Sequence, residues 1–307
     1  MRPVRVGTRG SPLALAQTDL VIGALRARHP GGTFEVVPIR THGDEGRSRD
    51  LGMTIDMKRA FTKRIDDALL GHRVDLAVHS LKDLPATLPD DLALAAVPTR
   101  DTPWDALVAR DGASVEGLPG DARLGTSSLR RRAQLVAFRP SFRLEELRGN
   151  IGTRLRRLDD GELDGIVLAE AGLRRLGLAH RISQVLPPDV MVPAIGQGAL
   201  AVEARSDDPE MRTLAGAIDD PATHGAAGAE REVARLVGGG CNVPLGAVGI
   251  PDRDSLRLEA MIASSDGRRV VRARAIGLLR DPLAVARRIA SELIAGGGSD
   301  ILAEIAT

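Results

Sequence analysis

The sequence predicts an α/β protein, with doubly wound sheets over most of the chain and a small α+β unit at its C-terminal end. Three observations carry that prediction. Short apolar runs alternate with helix-period segments to about residue 245, the pattern of strands covered by helices on both faces. Beyond that point two strand-like runs follow one another directly and a single helix closes them. The 307 residues allow two or three domains at roughly 100–200 residues each.

The elements follow in order. Residues 4–8 are apolar and read as a buried strand. Ser11 followed by Pro12 is an N-cap with proline at the first helical position, and Leu13, Leu15, Ala16, Leu20 and Leu25 carry the helix to about Arg28. Residues 34–40, 75–79, 92–97 and 166–169 read as further strands, with helices near 61–70, 129–138 and 172–176. Such interleaving predicts a mainly parallel sheet. In the last stretch, residues 256–263 and 269–275 read as strands and 282–295 as a helix. No internal repeat or low-complexity tract interrupts the series.

Composition narrows the function classes. Hydrophobic residues make up 43% and aromatics only 2%, so the cores are aliphatic. A net charge of +1 gives no global case for nucleic acid or membrane surfaces. The single cysteine excludes an intrachain disulfide and fits a reducing compartment. The N-terminus lacks a long apolar signal region and no window approaches a membrane span, so a cytoplasmic setting is expected. The six histidines are scattered without ligand spacing, so no metal site is expected. No glycine pattern ends in Gly-Lys-Ser/Thr, so a P-loop is absent.

Three features suggest chemistry. The first is Cys241, which follows Gly238-Gly-Gly and precedes Pro244, so it sits on a loop that glycine frees and proline bounds. A reactive or modified thiol and a bland loop residue both fit this setting. The second is local charge: ten arginines between 123 and 157 face only Glu145 and Glu146. A solvated helix face is the bland account. Against it, Gly125-Thr-Ser-Ser-Leu-Arg-Arg131 and Arg148-Gly-Asn-Ile-Gly-Thr-Arg154 both place glycine, hydroxyls and arginine at a helix start, where anions bind. The third is Val78-His-Ser-Leu-Lys-Asp83 at the end of an apolar strand, where open α/β sheets bind ligands. Lys82 is one of three lysines among 42 basic residues, and Asp83 sets a carboxylate in a cationic neighbourhood. The combination suits a ligand that is anionic at its edge and cationic at its reacting centre. His42 and His79 could each touch a ligand, and a satisfied structural role is the reading favoured for each.

Together with Arg9-Gly-Ser-Pro-Leu-Ala14, Pro193-Ala-Ile-Gly-Gln-Gly-Ala199 and Gly238-Gly-Gly-Cys-Asn-Val-Pro244, these motifs resemble the porphobilinogen deaminase (hydroxymethylbilane synthase) family, in order, from residue 4 to about 250. The resemblance implies a monomeric transferase of haem and porphyrin biosynthesis. Such enzymes join four porphobilinogen molecules head to tail with loss of ammonia and then release the linear tetrapyrrole. It implies a dipyrromethane cofactor in thioether linkage to Cys241. It also implies that Asp83 stabilises the cationic azafulvene left by ammonia and assists proton transfer. By the same resemblance Arg9, Ser11, Lys82, Thr126, Ser127, Ser128, Arg130, Arg131, Arg148 and Arg154 hold carboxylates of cofactor and substrate, with Arg175 and Gln197 further candidates.

The implied fold has two periplasmic-binding-protein-like domains, residues 1–98 with 198–216 and residues 99–197, the chain crossing between them twice. A third domain, residues 217–307, carries the cysteine. One segment departs from the family: residues 51–61 lack the paired glycines of its mobile loop, although Lys58 and Phe61 align. Fewer glycines predict a stiffer loop. Two rival classes remain at this level, a non-catalytic binding protein for a polyanion and a basic nucleic-acid-binding protein; the second requires exposed arginines.

Overall fold

The structure is a computed structural model that describes residues 2–40, 57–238 and 243–306. In chain order the first elements are β1 (Val4–Arg9), α1 (Pro12–Arg28), β2 (Phe34–Ile39), α2 (Met57–Leu70), β3 (Leu76–Ser80) and β4 (Leu92–Ala96). Then come β5 (Asp105–Ala109), β6 (Arg123–Gly125), α3 (Leu129–Phe138), β7 (Arg143–Glu145), α4 (Ile151–Asp159), β8 (Gly165–Ala169), α5 (Glu170–Arg175) and β9 (Gln184–Val185). The chain continues through β10 (Leu200–Arg205), α6 (Pro209–Gly216) and α7 (Pro221–Val237), and ends with β11 (Leu245–Asp252), β12 (Ser255–Ala263), β13 (Val270–Leu278), α8 (Pro282–Leu293) and α9 (Ser299–Ala306). Contacts group Met1–Asp101 with Ala199–Gly225 as one compact unit and Thr102–Gly198 with Ala226–Thr307 as a second.

Helix starts obey the local rules that the sequence displays. Ser11 accepts a hydrogen bond from the Ala14 amide and Pro12 opens α1; Asp208 with Pro209 and Asp281 with Pro282 repeat the arrangement at α6 and α8. A five-stranded sheet of order β2-β1-β3-β10-β4 organises the first unit, and one of order β7-β6-β8-β5-β9 the second. The expected mainly parallel order holds for four of the five strands in each sheet, and one strand in each is reversed. Within the first, β1 pairs in parallel with β2 and β3, whereas β10 runs antiparallel to β3 and β4. Within the second, β5 runs antiparallel to β8 and β9. The reason is the chain path: β5 and β10 each follow a crossing from the other unit and enter their sheet in reverse.

Strand periodicity places the side chains. Along β3, Leu76 and Val78 join the core under α1 and α6, while Ala77 joins the core under α2; successive residues face opposite sides. His79 therefore lies on the α2 side and Ser80 on the α1 side. In the second unit, Leu107, Leu124, Leu135 and Val167 fill one face, and Val108, Leu155, Leu158 and Ile166 the other. The C-terminal sheet β11-β12-β13 is wholly antiparallel. Ala133 of α3 packs with Val192, Met261 and Ala263, which joins that sheet to α3 inside the second unit. The sequence reading omits β5, β6, β7, β9, β10 and β11; β6, β7 and β9 are only two or three residues long, too short to show a period.

Candidate active site

In the first unit, β1 and β3 are parallel neighbours, so their carboxyl ends share one edge of the sheet. Half-buried Arg9 ends β1, and Ser11 follows as the cap of α1. Lys82 and Asp83, also half-buried, lie in the single 3-10 turn Leu81–Asp83 that follows β3. That turn is tied down by the Leu81 amide donating to the Ala199 carbonyl at 3.0 Å. Gln17 of α1 and Ser80 exchange hydrogen bonds of 2.8 and 3.1 Å beside it, a contact the sequence reading missed because the partners lie 63 positions apart.

In the second unit, β7, β6 and β8 run parallel, and the predicted binding segments all follow their carboxyl ends. After β6, the Thr126 hydroxyl accepts from the Ser128 amide at 3.2 Å, Ser127 donates to the Leu147 carbonyl at 2.7 Å, and Ser128 caps α3. After β7, Arg148 is exposed and pairs with Glu146 at 2.7 Å, and Asn150 caps α4. Half-buried Arg154 donates to the Gly149 carbonyl at 2.7 Å. After β8, Arg175 donates to the Gly198 carbonyl, and buried Gln197 to the Pro103 carbonyl at 2.8 Å.

Arg130 and Arg131 differ most from expectation. Both are buried, and both converge on the fully buried Asp105, at 2.9 and 2.7 Å. Further donors reach the carbonyls of Val192 and Val167. Burial alone would raise the Asp105 carboxyl; Arg130 and Arg131 outweigh it and hold the group at about 2. Burial leaves Arg130 itself somewhat below its usual range. These two arginines are thus built into the wall of the second unit. Asp105 escaped the sequence reading because it lies 25 positions before its partner; the excess of arginine over acid was the available hint that distant acids must be recruited.

Arg154 is the contrasting case. Burial, and then the neighbouring Arg131, bring it down to about 10, so it remains cationic at neutral pH with another cation beside it. Cys241 lies outside the described residues, as do 51–56 of the divergent segment. The chain is described again from Val243 and enters β11, where Gly246 abuts the second unit's wall. A Cβ there would lie 2.8 Å from the Pro193 carbonyl oxygen and 3.0 Å from Arg130 Cδ. The thiol is thus five positions in sequence from a strand start packed on Arg130. Among the described residues no group of histidines, cysteines and carboxylates could hold a metal ion.

The family model for "porphobilinogen deaminase, dipyromethane cofactor binding domain" matches residues 4–213, and that for "porphobilinogen deaminase, C-terminal domain" matches residues 226–295. The chain belongs to the porphobilinogen deaminase family. A relative from Roseiflexus castenholzii, named porphobilinogen deaminase, is 49% identical over 97% of this chain and 98% of its own. One of the same name from Desulforudis audaxviator is 48% identical over 99% and 98%. Among solved structures, the second substrate-binding domain of a putative amino acid ABC transporter from Streptococcus pneumoniae aligns at TM-score 0.44 and 12% identity, covering 70% of this chain and 90% of that one. No helix among the described residues is long and apolar enough to cross a membrane.

Proposed function

We propose that the chain carries out its family's reaction as a cytoplasmic monomer. Four porphobilinogen molecules are joined head to tail, each with loss of ammonia, and hydroxymethylbilane is released. The observation that carries this reading is that the chain holds two dissimilar ligand-binding edges, one in each unit. One is Asp83 on a fixed turn at the end of β3. The other is the arginine set after β6 and β7, in which Arg154 is cationic, half-buried and set beside Arg131, with no acid among its contacts with the described residues. The donor set fits a dipyrromethane, because a group bearing several carboxylates needs cations and amides at helix starts. Bound by thioether to Cys241, that group supplies the primer on which the chain grows.

The protein's own residues then do the following. Arg148 and Arg154 receive carboxylates, while Arg130 and Arg131, clamped by Asp105, give that wall a fixed positive potential. Arg9, Ser11 and Lys82 do the same at the β1–β3 edge, with Thr126, Ser127, Ser128, Arg175 and Gln197 shaping the second wall. Asp83 faces pyrrole N–H groups, stabilises the cation that forms as ammonia leaves, and assists proton transfer. We read three domains here, residues 1–98 with 198–216, 99–197, and 217–307. No nucleic acid or membrane partner is required.

Replacement of Asp83 tests the centre of the mechanism. Asp83→Asn keeps size and a hydrogen-bonding oxygen but removes the charge, so it is expected to fold and keep its covalent cofactor by intact mass. Its steady-state formation of tetrapyrrole should fall by roughly 10²-fold or more, the scale of one lost electrostatic contact. Asp83→Glu should retain more activity than Asn. Equal rates for wild type and Asp83→Asn would make Asp83 structural.

A further inference from the structure

On the α2 side of the first sheet, a buried ion pair lies near a half-buried carboxylate. His79 of β3 and Glu203 of β10 have side chains only 4% and 1% exposed, with Nε2 and Oε2 2.9 Å apart. The strand register explains the meeting: Ala201 lies opposite His79 and Glu203 opposite Ala77, so His79 and Glu203 are diagonal neighbours on one face. Asp66 approaches from α2, accepting from Thr62 at 3.2 Å through Oδ2 while its Oδ1 is buried without a hydrogen-bond partner. The 2.9 Å contact is not aligned as a hydrogen bond, and both Glu203 oxygens lack any other partner among the described residues. A carboxylate buried in that state needs a cation, because desolvation is otherwise uncompensated.

We propose that His79 is a positioning residue for Asp83: an imidazolium paired with Glu203 that anchors the end of β3 and sets a fixed positive charge behind the turn bearing the carboxylate. The inference rests on the reading of Asp83 as catalytic. His79 stands four positions before Asp83, on the strand whose continuation is tied to Ala199. Burial alone would lower the imidazole, but Glu203, Asp66 and Asp83 together outweigh it and leave His79 raised. Burial, and then Glu203, push Asp66 up, while His79 draws it down. The ring is in contact with Glu203 of β10, and the carboxylates of Asp66 on α2 and Asp83 on the turn also act on it electrostatically. On the other flanks of β3, Gln17 of α1 pairs with Ser80 and Arg5 of β1 pairs with Asp75. Since the folded value is raised, the charge is complete below the ordinary histidine range and is lost as pH rises through the folded value. The positioning effect should accordingly fade on the alkaline side.

The test uses the holoprotein with 15N-labelled histidine, the His79 signal being assigned by its loss in His79→Gln. Wild-type His79 should titrate at higher pH than an ordinary histidine, and in Asp83→Asn its titration should move to lower pH, because coupling between two groups is reciprocal. In turnover, His79→Gln should lower kcat roughly tenfold or more with KM within about threefold, the signature of a misplaced group, and should remove the alkaline limb of the kcat profile. The double variant His79→Gln/Asp83→Asn should be no slower than Asp83→Asn alone. A His79 that titrates at or below the ordinary histidine range, a titration unmoved by Asp83→Asn, or multiplying losses in the double variant each overturn the proposal. If His79→Gln does not fold, the signal is assigned by elimination, from single variants of the other five histidines, and the two titrations still decide. A wild-type rate in Asp83→Asn overturns instead the reading of Asp83, whatever the state of the imidazole.

Discussion

At the scale of single residues, Asp105 explains more of this protein than any arginine that drew attention in the sequence. It is a fully buried carboxylate holding two buried guanidiniums, and removing one partner of such a set leaves charge uncompensated. Asp105→Asn should therefore cost about 3–5 kcal/mol of stability, read as a lower urea midpoint with an unchanged slope. An effect below 1 kcal/mol would mean that the arginines re-pair elsewhere. Its pH signature has a definite sign. With the folded group at about 2 and the unfolded one near 3.9, this stabilisation is present above pH 4 and is lost as pH falls toward 2. The same geometry changes how the arginines should be probed. Arg130→Leu or Arg131→Leu orphans Asp105, so lost cofactor assembly would mix with lost stability. Arg154→Leu breaks only a bond to the Gly149 carbonyl. It should cripple cofactor assembly or elongation while moving the urea midpoint little; full activity in that variant would remove Arg154 from the binding set.

At the scale of elements, the legible parts were those whose signals are local. The Ser11-Pro12 start of α1 and the limits of α3 could be read directly, because caps and apolar period act within a few residues. Strand direction was not legible: nothing within 200–205 or 105–109 records that the chain enters each sheet from the other unit. Nor were the His79–Glu203 and Arg130–Asp105 pairs, which depend on register across strands rather than on spacing. The start of β11 shows what close packing demands at one such junction. Ala247 donates to the Pro193 carbonyl at 3.1 Å, an approach that a side chain at position 246 would block. Gly246→Ala should push the strand from Pro193 and Arg130, costing about 1–3 kcal/mol by overpacking. Because Cys241 lies five positions earlier, it should also slow covalent loading of the cofactor, measured as the fraction of modified chain by intact mass. Unchanged stability and loading would show that the junction relaxes freely.

At the scale of the whole molecule, charge separates the surviving reading from its nucleic-acid rival. Each of the ten arginines between 123 and 157 has an acceptor within the second unit, among them Asp164 for Arg123, Asp121 for Arg143, the Leu118 carbonyl for Arg139 and Glu162 for Arg157. A stretch that reads as two acids against ten bases thus has five of its arginines paired with acids from elsewhere in the chain, and the net charge is +1. Duplex DNA should not be bound measurably at physiological salt, since tight binding requires many phosphate contacts and a steep salt slope. The cations that remain around Arg131 and Arg154 repel one another, and a covalently held polycarboxylate would relieve that repulsion. The native protein should therefore be heavier than its sequence by two linked pyrrole units attached to Cys241. Cys241→Ser should fold without a stable adduct and melt a few degrees lower. Added salt should narrow that gap, because screening relieves the same repulsion in the adduct-free chain. An active wild-type protein of unmodified mass would sink the covalent assignment. A Cys241→Ser protein melting with wild type at every salt concentration would show that the arginine wall is stable without its ligand.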